Sequence, residues 1–107
     1  MSGGQAVLAI WVDIDPADDT LFEHWHSHEH VQERVGCPGW LRGSRFKGVD
    51  TPGRYLLLYD AATTAAFESE EYYARLGNPT EMSRAIFPKF RDTWRTVCTV
   101  EQRWGEG

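Results

Sequence analysis

All four histidines of the chain, His24, His26, His28 and His30, fall within seven consecutive residues. Histidine exchanges protons near neutral pH, with an unperturbed pKa of about 6.5, and its ring nitrogens bind transition metals. The stretch Leu21-Phe22-Glu23-His24-Trp25-His26-Ser27-His28-Glu29-His30 is therefore where chemistry is sought first. On a helix, residues i and i+4 share a face, so the run divides into two pairs, His24 with His28 and His26 with His30. At about 100° per residue, Leu21, Phe22 and Trp25 form a buried stripe with Val35 at one edge. His24 and His28 flank that stripe on one side and Glu29 on the other, while His30 of an unbroken helix points to water.

A zinc-type site needs three or four convergent ligands. One helical face supplies two imidazoles here, and the chain has no second Cys/His cluster, so no metal site is assigned. Proton transfer needs less: one histidine at the rim of an apolar cavity, oriented by a carboxylate such as Glu29 or Glu33. Arg42 or Arg45, with Arg54, could hold the oxyanion that such chemistry creates.

These residues must be positioned by the flanking elements. Ala6 to Ile14 alternates as a strand that is apolar on nearly both faces. Thr20-Leu21-Phe22-Glu23 matches a capping box, which predicts that the histidine helix starts near Thr20. Gly36-Cys37-Pro38-Gly39 stops it, through a left-handed glycine cap and a proline that cannot continue a helix. Trp40 to Gly48 and Arg54 to Asp60 read as two strands joined by the turn cluster 49–53, hence a hairpin. Ala61 to Leu76 contains a helical segment broken near Ser69, Thr80 to Ile86 a short helix, and Thr93 to Arg103 a last strand. The order β-α-β-β-α-β predicts a single α+β domain over residues 1–107, a ferredoxin-like plan with a four-stranded antiparallel sheet. Helices cover one face of such a sheet, and the apolar alternation on both sides of the strands leaves the other face to a second copy. A homodimer joined sheet to sheet is expected.

Composition narrows the partners. A net charge of -5 lacks the basic face that phosphate backbones require, so nucleic acid is not expected. No apolar run approaches the roughly 20 residues that cross a bilayer, and Met-Ser-Gly-Gly lacks the features of a secretory signal. A cytoplasmic protein is the expectation, with Cys37 and Cys98 as reduced thiols, because they form no CxxC pair.

The segment Phe22 to Trp40 resembles the EthD-like group of the dimeric α+β barrel superfamily. That group reads as an aromatic residue, Trp-Tyr, two or three spacers, Glu-His-hydrophobic-Pro-Glu, then Pro-Gly-aromatic into a strand. Trp25, Glu29, His30, Glu33, Pro38, Gly39 and Trp40 fall on the pattern. Tyr55-Leu56-Leu57-Leu58-Tyr59 resembles the group's third strand, Ser69-Glu70-Glu71-Tyr72 and Pro79-Thr80-Glu81 its second helical region, and Phe87-Pro88-Lys89-Phe90-Arg91 the approach to its last strand. Two departures stand out. Gln32 occupies the usual proline position, and His26 and His28 replace a tyrosine and a variable residue.

The resemblance implies a dimeric α+β barrel with a pocket between the sheet and the first helix of each subunit. It implies a lining of Trp25, Trp40, Tyr55 and Phe67 and a bend that turns His30 inward, and Arg42 of the strand arginines above is counted with that lining as a binding residue. The expected function is a small cofactor-independent enzyme acting on an apolar or aromatic carbonyl compound. His30 moves the proton, Glu29 or Glu33 orients it, and His26 is the reserve, in an isomerisation, dehydration or decarboxylation. The alternatives are a cofactor-free monooxygenase of the same superfamily and a non-catalytic binder of haem or another hydrophobic ligand.

Overall fold

A computed structural model describes residues 5–105. Strand β1 (Ala6–Asp13) leads through a short 3-10 turn into a helical stretch over 19–35, made of α1 (Asp19–Trp25), a π-helical segment (His26–His30) and α2 (Val31–Val35). Strands β2 (Trp40–Lys47) and β3 (Arg54–Ala61) follow, then α3 (Glu70–Gly77), α4 (Glu81–Ile86) and β4 (Arg91–Thr99). The sheet order is β2-β3-β1-β4, and every neighbouring pair is antiparallel. This is the predicted ferredoxin-like arrangement, hairpin included. Among the described residues no helix is long and apolar enough to cross a membrane.

The register explains the two faces. Leu8 lies opposite Tyr59 and Val97, and Val12 opposite Tyr55, so these side chains share the helix-covered face. There Ala6, Leu8, Val12, Tyr55, Leu57 and Tyr59 are buried beneath Phe22, Trp25, Tyr72 and Ile86. The other face carries Val7, Ala9, Leu56 and Leu58 beside Trp11, Phe46 and Trp94, and the last three are 39%, 50% and 54% exposed. Trp11 and Trp94 sit directly opposite each other on paired strands.

Several boundaries differ from the sequence reading. Thr20 lies inside α1 and caps nothing; Asp15 instead accepts from the Ala17 amide at 3.0 Å and starts the 3-10 turn that precedes the helix. A proline at the start of that turn favours it, because its fixed φ suits a first turn. The left-handed glycine after α2 is Gly39, at φ 83°, whereas Gly36 keeps a right-handed conformation. Strand β4 begins at Arg91 and ends at Thr99, short of Arg103. The break at Ser69 is real: its hydroxyl accepts from the Tyr72 amide at 3.1 Å and caps α3. Both thiols are free, Cys37 buried and Cys98 exposed.

One close approach sets the height of the histidine helix above the sheet. A Cβ at Gly43 on β2 would lie 2.7 Å from Val31 Cγ2 and 3.2 Å from the Tyr59 ring, so only glycine lets α2 sit this low. Gly43→Ala is expected to lower stability by about 1–3 kcal/mol through overpacking. Trimming the partner in Gly43→Ala/Val31→Ala should recover part of the loss. Urea unfolding of the two variants reads this, and strictly additive losses would contradict the contact.

Candidate functional site

Besides Trp25, the buried residues of the helical stretch are spaced by four: Phe22, His26, His30 and Arg34. A regular α-helix turns about 400° in four residues, so such a row drifts some 40° per step and leaves the core within two or three steps. The π segment cancels that drift. The Val31 amide donates to the carbonyl of His26, five residues back, and the widened turn takes up one extra residue. The Gln32 side-chain amide donates to the Ser27 carbonyl at 3.2 Å and braces the same turn. His26 and His30 therefore point inward, while His24 and His28 lie outside the core with ring centroids 4.5 Å apart. The straight-helix projection had the pairing right and the facing wrong.

The two inward histidines differ in what their nitrogens do. His26 Nδ1 lies 3.1 Å from Arg45 Nη1, and Nε2 lies 3.3 Å from the Tyr59 hydroxyl. A guanidinium only donates, so Nδ1 is the acceptor and Nε2 carries the proton, which it gives to Tyr59. Both nitrogens are occupied, which removes His26 as a reserve base. Burial first, then the Arg45 charge, lowers its pKa to about 4. Burial likewise pushes the Tyr59 phenol up, so it stays protonated.

His30 stacks on Trp25, with centroids 4.3 Å apart and planes 25° off parallel. Among the described residues its Nδ1 is the one buried side-chain nitrogen or oxygen with no hydrogen-bond partner. Native structures satisfy nearly all such atoms, so an exception marks a place for something else. Burial, followed by the nearby Arg34 charge and His26, holds His30 far below its ordinary pKa, and the ring is neutral. No described carboxylate orients it. Glu29 instead accepts from the Thr80 hydroxyl at 2.9 Å, and the Glu33 side chain makes no bond to it.

His30 opens onto a cavity of about 210 Å³. Ile10, Val12 and Leu57 form its floor on the sheet, and Trp25, Leu76, Phe87 and Phe90 its apolar walls. Arg34, Tyr72, Thr93 and Arg95 supply the remaining polar edge. Trp25 is fixed by its indole N–H, which donates to Ser83 on α4 at 2.9 Å. Larger hollows of about 330 and 520 Å³ lie around Trp11, Arg54 and the open sheet face, away from the histidines.

Of the binding residues expected from sequence, Trp25 lines this cavity and four others do not. Trp40 donates to the Ala66 carbonyl at 2.9 Å and packs edge-on to Phe67 at 5.0 Å, a layer behind Tyr72. Tyr55 lies between Asp19 at 2.8 Å and Glu23 at 2.6 Å and ties α1 to β3. Arg42 is held by Asp60 at 2.7 Å. The other oxyanion candidates are also engaged, Arg54 by Asp13 at 2.9 and 3.0 Å and Arg45 by His26 and Ser27. Sequence reading missed Arg34 and Arg95; for Arg34 the signal was the four-residue spacing that continues from Phe22 through His30.

The depressed histidines make stability depend on pH. Between the unfolded value near 6.5 and about 4, the unfolded chain binds a proton that folded His26 refuses. Their contribution is thus complete above pH 6.5 and is lost as the pH falls. The urea midpoint should drop between pH 7 and pH 5, above the carboxylate range, and His26→Gln should flatten that slope. An unchanged slope in the variant would rule out the buried neutral imidazole.

No family model matches the sequence, and no curated protein does. Solved structures do. A mutant form of SnoaB, a cofactor-independent oxygenase from Streptomyces nogalater, superposes with TM-score 0.65 at 15% identity over 94% of this chain and 97% of that one. The haem degrader MhuD from Mycobacterium tuberculosis, solved with two haems in its active site, gives 0.67 at 15% over 94% and 99%. A dimeric ferredoxin-like protein from an uncultured marine organism gives 0.75 at 9% over 95% and 92%. Likeness at such low identity speaks to architecture, and with the strand order above it shows that the chain has the ferredoxin-like α+β fold.

Proposed function

We propose that the protein is a cofactor-independent oxygenase in which His30 takes a proton from a compact aromatic carbonyl compound bound in the cavity. The observation that carries this reading is a buried, neutral histidine, with no hydrogen-bond partner at Nδ1, in the wall of an aromatic-lined cavity. An activated CH₂ group beside a carbonyl gives up a proton to the imidazole, and its electron pair spreads into the carbonyl and ring. Dioxygen takes up those electrons and forms a C–O bond, giving a peroxide anion. The imidazolium returns its proton, and the hydroperoxide loses water to leave a new carbonyl. The sum is CH₂ plus O₂ to C=O plus H₂O, and the base is regenerated.

The oxygenase neighbour supports this alternative over the isomerisation, dehydration or decarboxylation expected from the EthD-like resemblance. The cavity lies below the roughly 300–1,000 Å³ of typical ligand sites, which favours a small ring system. His30→Gln should keep the fold and lower kcat by about 10²–10⁴-fold, the usual worth of a general base. An oxygen electrode and ¹⁸O₂ labelling read the reaction. Turnover without oxygen would replace the oxygenase with the lyase or isomerase class, and undiminished turnover in the variant would remove His30. The His30 ring is also the group that would ligate a haem iron if the protein were a binder. A Soret band on titration with haem, lost in His30→Ala, would establish the binder instead.

The working unit is proposed to be a homodimer closed over the open sheet face, where Trp11, Phe46 and Trp94 stand exposed. The ferredoxin-like neighbour described as dimeric supports this. Trp94→Glu is expected to convert a dimer into a folded monomer in sedimentation equilibrium. A wild-type monomer at micromolar concentration would overturn the assignment.

A further inference from the structure

We infer that the cavity selects an aromatic compound bearing one carboxylate, which Arg34 receives. This specificity rests on the ligand site proposed above and names the class of molecule that it takes.

Arg34 is only 7% exposed, yet among the described residues no carboxylate lies within ion-pair distance and no group accepts a hydrogen bond from its guanidinium. Its one close companion is the face of the Tyr72 ring, 5.8 Å from the guanidinium carbon. The residue as a whole is packed, but its guanidinium nitrogens keep accessible surface at the cavity it lines, so the charge there is open to a ligand. The contrast within this chain is direct. Arg42, Arg54 and Arg91 each meet an aspartate, and Arg45 is spent on His26 and Ser27. Arg34 alone combines burial, a cavity wall and no anion, in a chain whose net charge of -5 offers carboxylates freely.

A second cation edges the same space. Arg95 on β4 lines the cavity without a carboxylate, and its Nη2 donates to the Tyr72 hydroxyl at 3.5 Å. Tyr72 thus sits against both guanidinium groups. The planar fork of an arginine matches the two oxygens of a carboxylate, while Trp25, Phe87 and Phe90 offer faces and edges to a flat apolar body. The anion has a further effect on His30. Burial is the larger cause of the low basicity of His30 and the Arg34 charge the second, so a carboxylate on Arg34 would offset that second cause.

The test compares benzoate and 2-naphthoate with their isosteric amides, benzamide and 2-naphthamide, by isothermal titration calorimetry of the intact protein at pH 7. At least one acid should bind about tenfold or more tightly than its amide, the worth of a charge-assisted hydrogen bond. Arg34→Met should abolish that preference and Arg34→Lys should keep part of it, with circular dichroism confirming the fold. Equal binding of acid and amide by the wild type would overturn the inference, whatever the variants do. So would a preference that survives in Arg34→Met/Arg95→Met. Because no turnover is measured, the outcomes separate from those of the oxygenase reading. Acid preference without oxygen uptake sustains the inference and removes the oxygenase. Oxygen uptake on neutral compounds with no acid preference does the reverse.

Discussion

The Val31 amide reaches past the usual acceptor to the carbonyl of His26, and the site follows from that one hydrogen bond. A regular helix here would carry the row Phe22, His26, His30 and Arg34 steadily off the core. The wide turn holds all four against the sheet, and Gly43 lets the continuing helix settle close to β2. Two separate features, a backbone irregularity on one element and a missing side chain on another, have to coincide for His30 to stack on Trp25 and face the cavity.

Within the row the residues have distinct duties. Phe22 packs, and His26 is locked between a cation that can only donate and a hydroxyl that accepts. His30 and Arg34 are left with unused capacity, one as an acceptor and the other as a charge. The buried, unpartnered nitrogen of His30 costs folding free energy, on the order of 1–3 kcal/mol. A cluster that served stability alone would have paired them, as the chain pairs Arg54 with Asp13 and Tyr55 with Asp19 and Glu23.

Much of the fold was legible in the chain because a strand's period of two is a local property. The alternation in β1 marked it as a strand with two apolar faces, and the turn clusters gave the hairpin. The first helix was legible in extent but not in phase, since nothing in His26–His30 advertises a five-residue hydrogen bond. The resemblance expected a proline-driven bend; Gln32 stands there instead, and the inward turn comes from a wider coil. The binding residues were the least legible. Trp40, Tyr55 and Phe67 are aromatic and buried as foreseen, but which layer an aromatic joins depends on how α3 and α4 cross the sheet. Arginines were misjudged because a guanidinium goes to its nearest carboxylate, and those pairings are tertiary.

The widened turn also has a genetic meaning. It differs from an ordinary helix by one residue, so removing a single codon between His26 and His30 would restore regular winding without touching the sheet. Residues beyond the deletion would keep their places, because the widened turn holds one residue more in the same rotation, and the residues now numbered 30 and 34 would still face the sheet. The turn is thus readable as a single-residue insertion into a regular helix, one that can be gained or lost without moving the residues on either side of it.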